Sequence, residues 1–327
     1  MSDIGSDRAR DARWTLQTVM NQTNLHKPVL LEESIDYLNV ASGNKTVIDA
    51  TVGLGGHTEA MLERNPELKI IGIDRDPEAL RRASQRLEPF AGRFVPFAGT
   101  YDQLLEAMNE SGISKVNGVL ADLGVSSMQL DFPDRGFSYS QNAPLDMRMD
   151  QSQGITAGEL IESSSVSELA YIIKTYGEDK FARLIAKHIA GKKFENSEQL
   201  NEVISAVVPK PHKGHPAKRT YQALRIAVNE EMDILERFVP NAIKALAEGG
   251  RLVVISYHSL EDSIVKKAIQ KASQSSSPVG LPVELEQHRP VLKVLTRGVT
   301  RASEQEQIEN PRSVSARLRA AEKMEDK

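Results

Sequence analysis

The sequence predicts an α/β protein: a doubly wound parallel sheet with a small helical subdomain inserted into it. Apolar strand-like runs alternate with helical patterns through the first third of the chain. This order is typical of a parallel sheet that is covered on both faces. The alternation stops after residue 123, and the next convincing strand begins at residue 251. A crossover needs only one helix of about a dozen residues, so the long connection predicts an insertion.

Local signals mark the individual elements. Pro77 suits the first turn of a helix, where its missing N–H would have no partner, and Gly249-Gly250 follows a helical pattern as helix stops do. The predicted strands are residues 45–51, 69–74, 93–97, 116–123, 251–257 and 288–296. The predicted helices are residues 57–65, 77–87, 101–111, 222–248 and 260–273, and the tail from residue 310 resembles a return strand with a short basic helix.

The insertion is predicted to span residues 131–220. It contains four helical patterns, at residues 155–163, 166–176, 180–191 and 197–207. It leaves the sheet at the carboxyl edge of the fourth strand, where doubly wound sheets bind their ligands, so we expect it to form a lid or a substrate platform. The main domain is then predicted to comprise residues 26–130 and 221–327. Residues 1–25, polar and mixed in charge, are predicted to be a flexible N-terminal tail.

Composition excludes several kinds of chemistry. The 327 residues carry a net charge of −4 and include no Cys. Disulfides, thiolate metal sites and thiol nucleophiles are therefore impossible, as is methylation of a pyrimidine carbon through a Cys adduct, whereas an amine or hydroxyl target stays open. The seven His lack paired spacing, so no metal site is expected. No apolar run is long enough for a membrane span or a secretory signal, and we expect a cytoplasmic protein.

A glycine turn after the first strand predicts a nucleotide site. The run Asp49-Ala-Thr-Val-Gly53-Leu-Gly55-Gly56-His57 joins a buried strand to a helix. Glycines let the backbone approach a ligand closely, and the helix points its free N–H groups toward it. Asp74, at the end of the second strand, lies where a ribose would present its hydroxyl groups. An adenosine-containing cofactor follows, and the alternative is a tight turn that binds no ligand.

The glycine spacing indicates which cofactor. A dinucleotide site needs Gly-x-Gly-x-x-Gly, but Thr58 stands at the third glycine position, which disfavours a nicotinamide oxidoreductase. Asp49 is not part of that pattern, and it could pair with the ammonium group of S-adenosylmethionine. The predicted fold is therefore a Rossmann-like sheet of the S-adenosylmethionine-dependent methyltransferase type.

Several other polar clusters allow a functional or a purely structural interpretation. Asp122, Ser126 and Ser127 follow the fourth strand and could face the reacting group, or Asp122 could cap a following helix. Asp146 and Arg148 predict an ion pair within a loop. His258, after the fifth strand, could contact a phosphate or a base, or only complete its loop. Adjacent acids in the run Asn229-Glu230-Glu231 are usually a solvated face.

Two segments are rich in basic residues. Residues 210–219 hold four cations, which indicate a nucleic-acid partner or a solvated loop. The C-terminal segment adds Arg297, Arg301, Arg312, Arg317 and Arg319.

Taken together, these blocks resemble the RsmH (MraW) family of bacterial methyltransferases that act on small-subunit ribosomal RNA. The similarity covers about residues 24–322. It rests on many blocks in one order: His26-Lys-Pro-Val-Leu30, Asp49-Ala-Thr-x-Gly53-x-Gly-Gly-His57, Gly72-x-Asp74-x-Asp76-Pro77, Asp122-Leu-Gly-Val-Ser-Ser127, Arg135-Gly-Phe-Ser138, Pro144-Leu-Asp-Met-Arg148, Arg219-x-x-Gln222-Ala-Leu-Arg225-Ile-x-Val-Asn229-x-Glu231, Ser256-Tyr-His-Ser-Leu-Glu-Asp262 and Asn310-Pro-Arg-Ser313.

The resemblance implies transfer of the methyl group of S-adenosylmethionine to the exocyclic N4 of a cytosine in the decoding region of small-subunit (16S) ribosomal RNA. It implies RNA within an assembled or nearly assembled subunit as partner, no membrane, and a possible homodimer. Tyr101 stands where Phe is more usual in the family, and stacking would survive that change. The positions that match cofactor-contacting residues are Gly55, Gly56, His57, Asp74, Tyr101, Asp122 and Gln129.

Catalysis is a separate hypothesis. The amine of cytosine is a poor nucleophile, and a carboxylate or hydroxyl that accepts its hydrogen bond would localise its lone pair. Asp122, Ser126 and Ser127 are the candidates. DNA amino-methyltransferases carry an Asp/Ser/Asn-Pro-Pro-aromatic motif, whereas this chain has Asp-Leu-Gly-Val, so their mechanism cannot be transferred. The alternatives are a methyltransferase for a protein or small molecule, and an assembly factor that binds the cofactor without turnover.

Overall fold

A seven-stranded sheet forms the centre of the molecule, which the computed structural model describes for residues 27–209, 214–275, 277 and 288–324, without the side chain of Ser127. The strand order is β3-β2-β1-β4-β5-β7-β6. Strands β1 to β5 are parallel, and β7 pairs antiparallel with both β5 and β6. The strands are β1 Thr46–Asp49, β2 Lys69–Asp74, β3 Phe94–Ala98, β4 Val116–Asp122, β5 Leu246–Ser256, β6 Leu292–Val294 and β7 Arg317–Lys323. The predicted doubly wound sheet and the return strand are confirmed.

The order of the strands reverses beside β1, which pairs with β2 on one side and β4 on the other. Ligands of such sheets bind outside the carboxyl ends of the strands at this reversal. The last residues of β1, β2 and β4 are Asp49, Asp74 and Asp122. The topology therefore gathers three carboxylates at one edge.

Helices cover both faces of the sheet because alternate residues of each strand point in opposite directions. In β1, Ile48 belongs to one buried cluster, with Phe238 and Val119, and Val47 belongs to the other, with Leu120. The helices of the sheet domain are α1 Leu31–Leu38, α2 Gly56–Arg64, α3 Pro77–Arg86, α4 Leu104–Glu110, α11 Glu231–Ala245, α12 Ser259–Ala272 and α13 Glu304–Glu309.

Between β4 and α11 the chain forms a helical unit with its own apolar cluster. Its four predicted helices are present within two residues of their expected ends, and Ile161, Ile173 and Ile185 are fully buried between them. The cluster continues into a fifth helix through Leu224. The helices are α5 Ser127–Asp131, α6 Ala157–Ser163, α7 Val166–Gly177, α8 Ala182–Ile189, α9 Ser197–Val207 and α10 Lys218–Val228.

The single crossover helix predicted for residues 222–248 is wrong: α10 ends at Val228 and α11 begins at Glu231. The helix stop predicted at Gly249-Gly250 is also wrong, because α11 ends at Ala245 and both glycines lie within β5. Glu230, at φ 52°, turns the chain between them. The solvated face predicted for this run is also wrong for two of its residues. Asn229 is buried, accepting from the Met149 N–H through Oδ1 and donating to the Met147 carbonyl, and buried Glu231 pairs with Arg225. Buried polar groups need such partners, and the break aims them inward.

Within the described ranges, no helix is both long enough and apolar enough to cross a membrane. The N-terminal tail predicted for residues 1–25 lies outside these ranges, as do residues 210–213 of the basic run.

Candidate active site

A cleft of about 2010 Å³ opens at the carboxyl edge of the sheet. It is bounded by the glycine turn, by the ends of β2, β4 and β5, and by α5. Most of the residues predicted for the site line it: Gly56, His57, Asp74, Tyr101, Asp122, Ser126 and Gln129. Gly55 does not line it, and the Ser127 side chain lies outside the described part of the structure.

The glycine turn is shaped by two acids beneath it. Gly53 and Gly55 have φ values of 53° and 81°, which other residues rarely adopt. The Gly53 N–H donates to Asp74 Oδ2 at 2.8 Å. Thr58 Oγ1 donates to Asp49 Oδ2 at 2.7 Å. These bonds hold the turn open toward the cleft.

Asp49 does not face a ligand. Its side chain is 2% exposed and lies below the turn, where it accepts from Thr58 and from the Thr51 N–H. Burial raises its pKa to about 6. The expected pairing of Asp49 with a ligand ammonium group is therefore wrong, because a ligand in the cleft cannot reach the carboxylate. Thr58, which breaks the dinucleotide spacing, is the residue that anchors it.

Two lining groups fit a nucleoside. Asp74 accepts from Gly53 and from the Asp76 N–H, one bond on each oxygen, so each oxygen keeps a lone pair for a ribose hydroxyl. Burial raises the pKa of Asp74 to about 6. The Tyr101 ring is held edge-on against Phe238, with centroids 5.1 Å apart, and its hydroxyl donates to the Glu231 carbonyl. A ring fixed in this way can stack on a base.

The first residue of helix α2 is a glycine that lines the cleft. Together with the glycine turn it forms a surface of exposed backbone, which we call the cradle. Helix α2 begins at Gly56, where a Cβ would lie 2.6 Å from Pro28 Cγ. Only glycine fits this position, and the first N–H groups of α2 have no partners within their helix. The cradle can therefore bind an anionic group such as a carboxylate.

Asp122 lines the cleft, and one of its two carboxylate oxygens has a hydrogen-bond partner. Its Oδ1 accepts from the Tyr257 hydroxyl at 2.7 Å, and its Oδ2 lies 4.0 Å from His57 Nδ1. Its backbone N–H donates to Thr51 Oγ1, which ties β4 to the glycine turn. Burial raises the pKa of Asp122 to about 7, although 24% of its side chain is exposed. A carboxyl group that titrates near neutrality can act as a proton acceptor.

His57 is neutral at pH 7, because burial lowers its pKa to about 4. Its Nε2 lies 3.1 Å from the Val29 carbonyl, which only accepts, so Nε2 carries the hydrogen. Nδ1 is then an unprotonated acceptor that faces Asp122. At 4.0 Å the two atoms are not hydrogen-bonded, so Oδ2 of Asp122 can still bind a donor in the cleft.

Ser126 lines the cleft, as predicted, but its hydroxyl is engaged in the protein. Ser126 caps α5: its Oγ accepts from the Gln129 N–H, and its own N–H donates to Gln129 Oε1. The alternative in which Asp122 caps this helix is wrong, because Ser126 fills that position. Gln129 Nε2 donates to Asp76 Oδ2, so its amide braces α5 against the sheet.

The sequence assigned no role to two lining residues. Tyr257 follows β5, and its pairing with Asp122 could have been found from the sequence, because β4 and β5 are parallel neighbours whose ends meet. Arg225 donates to both oxygens of Glu231, at 2.8 and 2.9 Å, across the unpredicted helix break. No sequence spacing signals that pair.

The contacts of the other predicted polar residues show which of them line the cleft. Asp146 and Arg148 form the predicted ion pair at 2.7 Å. His258 caps α12 and lies 3.1 Å from Glu261, so it completes its loop and does not line the cleft. Arg317 and Arg319 both pair with Asp262. Two other predicted basic residues line the cleft, Lys218 and Arg312.

Comparison with known proteins agrees with this geometry. The model of the MraW methylase family matches residues 23–324. A protein of Kocuria rhizophila named ribosomal RNA small subunit methyltransferase H is 50% identical over 310 residues, covering 92% of this chain and 95% of that protein. A protein of the same name from Pseudarthrobacter chlorophenolicus is 51% identical over 313 residues, covering 91% and 95%. A third, from Saccharopolyspora erythraea, is 48% identical over 310 residues, covering 92% and 94%.

Proposed function

Because the chain belongs to the MraW methylase family, we propose that it methylates the exocyclic N4 of a cytosine in the decoding region of small-subunit ribosomal RNA. The cofactor is S-adenosylmethionine. The observation that carries the proposal is the position of Asp122. This carboxylate has a pKa raised to about 7, and it lines the same cleft as Asp74 and Tyr101, the two residues that fit a nucleoside. Such a group can accept the amine hydrogen that must leave when N4 is methylated.

The cofactor fits the residues that are present. Asp74 would hold the ribose, Tyr101 would stack on the adenine, and the start of α2 at Gly56 would receive the carboxylate of the methionine moiety. Gly55, His57, Asp122 and Gln129 complete the proposed binding set. The cofactor is a cation at sulfur, and the acids at this edge favour positive charge, so its binding is expected to lower their pKa values.

When bound, the cofactor supplies a methyl group on a positively charged sulfur, so the protein must mainly align this carbon with the amine nitrogen. Tyr257 fixes Oδ1 of Asp122, which leaves Oδ2 for the amine. Accepting that hydrogen bond localises the nitrogen lone pair. In methyl transfer the nitrogen would gain the methyl group, the sulfur would keep the electrons of the broken S–C bond, and the amine proton would pass to Oδ2 of Asp122. Ser126 then serves to place α5, and Ser127 stays a candidate.

The helical unit is proposed to bind the substrate. Residues 131–220 leave the sheet beside Asp122, and Lys218 on α10 lines the cleft. The predicted methyltransferase domain, residues 26–130 and 221–327, would divide α10, whose Leu224 packs in the apolar cluster of the helical unit, so we propose that the unit extends to Val228. The target must be unpaired or flipped, because a duplex hides N4. We propose assembled or nearly assembled subunits as the substrate, and hence the cytoplasm, where ribosomes lie, as the location.

The test uses the purified protein with labelled S-adenosylmethionine. Small subunits, and RNA extracted from them, are taken from cells lacking this protein, and nucleosides are resolved by mass spectrometry. We expect labelled N4-methylated cytidine, with subunits preferred over extracted RNA. Label in protein, or no label while the cofactor still binds, would refute the RNA assignment.

Replacing Tyr257 with Phe should shift the pH dependence of methylation. The Tyr257 hydroxyl donates to Asp122 and lowers its pKa, so its loss should raise that pKa further. Activity depends on the carboxylate form, so the acidic limb of the kcat/KM profile should move to higher pH. Tyr37→Phe, which removes a hydroxyl near Thr300, is the matched control. An unchanged limb in Tyr257→Phe would exclude Asp122 as the titrating acceptor.

A further inference from the structure

The cleft is larger than its cofactor requires. Pockets for small ligands measure roughly 300 to 1,000 Å³, whereas this cleft measures about 2010 Å³. Its lining includes eight basic and six acidic side chains, although the whole chain has a net charge of −4. We call the side of the cleft at α3, α5, Lys27 and Arg312 its mouth. There the basic residues are Lys27, Arg81, Arg82, Arg86 and Arg312 and the acidic lining residues Glu78 and Asp131, and Arg86 pairs with Glu59. The mouth is therefore suited to a polyanion.

An aromatic side chain lies within this basic rim. Phe132 directly follows α5, lines the cleft and is 36% exposed. The guanidinium carbon of Arg82 lies 5.3 Å from the centroid of its ring. Among the described residues, Arg82 is bonded only through Nε, to Glu78 at 2.7 Å, so its remaining N–H groups can donate to a ligand.

The backbone is held in place on both sides of Phe132. The Phe132 N–H donates to the Met128 carbonyl and closes α5. The turn that follows carries Arg135, which is bonded to Asp76 at the start of α3. Arg82 lies on the same α3 helix. The segment that carries Phe132 is thus fastened to α3, the helix that carries Arg82.

We propose that Phe132 and Arg82 form a stacking platform for an unpaired nucleobase next to the target nucleotide, with Arg81 and Arg312 beside its phosphates. Unpaired bases bind to proteins by stacking on aromatic rings and guanidinium planes within a basic groove. An isolated exposed Phe would be ordinary, but this one combines a fastened backbone, an overlying Arg and a basic rim continuous with Asp122. The proposal rests on the proposed function and specifies its ligand as single-stranded RNA.

The test compares Phe132→Ala and Phe132→Tyr in the full-length protein, with small subunits as substrate. Stacking is worth about 1 to 3 kcal/mol per base, so Phe132→Ala should raise KM for the subunit about 5-fold to 150-fold. Phe132→Tyr should stay near the wild type, because it keeps the ring. The Kd for S-adenosylmethionine should be unchanged in both. The control is Ile308→Ala, which removes a 76% exposed apolar residue outside both the cleft and the helical unit.

Three results would overturn the platform: an unchanged KM in Phe132→Ala, an equal rise in Ile308→Ala, or a matching loss of cofactor affinity, which would place Phe132 in the cofactor site. Its failure is distinguishable from failure of the proposed function. If the wild type labels RNA and Phe132→Ala behaves like it, only the platform is refuted. If the wild type labels no RNA, the function is refuted.

Discussion

Asp122→Asn should lower turnover by about 10²-fold to 10⁴-fold while S-adenosylmethionine still binds. General base catalysis contributes about this much, and the amide cannot take up the amine proton. The amide oxygen can still accept from Tyr257, so the local geometry should survive. Single-turnover rates with saturating cofactor and subunits measure the loss, and calorimetry measures the Kd of the cofactor.

The control is Asp36→Asn, an exposed acid on α1 outside the cleft, for which we expect wild-type turnover. A fall in cofactor affinity that accounts for the whole loss would contradict the catalytic role. Asp122 would then be a cofactor-binding residue only.

The same substitution should stabilise the free protein at alkaline pH. The folded pKa of Asp122, about 7, lies above its ordinary value of 3.8. Its contribution to stability is therefore fully present below about pH 4 and lost as the pH rises through 7. Asn has no such loss. Each pKa unit is worth about 1.4 kcal/mol, and partial exposure reduces the effect, so Asp122→Asn should gain roughly 1 to 3 kcal/mol over the wild type between pH 4 and pH 8. Urea unfolding at both pH values, without cofactor, measures this gain; equal pH dependence would contradict the raised pKa.

Arg135→Ala should destabilise the fold by about 3 to 5 kcal/mol, the usual loss when one partner of a buried ion pair is removed. Arg135 Nη1 donates to Asp76 Oδ2 at 2.8 Å, and the two side chains are 10% and 3% exposed. Arg135 also donates to the carbonyls of Arg148 and Met149. Its loss leaves the buried Asp76 carboxylate with only neutral donors, the Gln129 amide and the Glu78 N–H, and frees the start of the inserted segment from one of its bonds to the sheet.

Urea unfolding of the free protein measures this loss. The matched control is Arg64→Ala, which removes an exposed pair with Glu32 at 2.6 Å and should cost less than about 1 kcal/mol. Similar losses in the two variants would show that the Asp76–Arg135 pair does not fasten the inserted segment. Since Arg135 also places Phe132, a fall in subunit affinity should accompany the loss of stability.

The unpredicted contacts share a physical cause. Glu231 was assigned to a solvated face because adjacent acids on one continuous helix usually are. The left-handed turn at Glu230 rotates α11 relative to α10, so Glu231 faces Arg225. Such a turn at a non-glycine residue has a conformational cost that only tertiary contacts, here those of Asn229, can offset. No local pattern in the chain predicts it.

The sequence by itself determined the sheet, the inserted helices and the edge at which the site lies. Hydrophobic periodicity and turn residues are local properties, and the carboxyl ends of parallel strands must meet, which brings Asp74 and Asp122 together. The tertiary structure alone decided which acid faces the cleft. Asp49 and Asp122 both end central strands, yet Thr58 binds Asp49 below the turn, whereas Tyr257 binds Asp122 inside the cleft. Burial, which raises the pKa values of both acids, depends on neighbours distant in the chain, and so it could not be predicted from spacing.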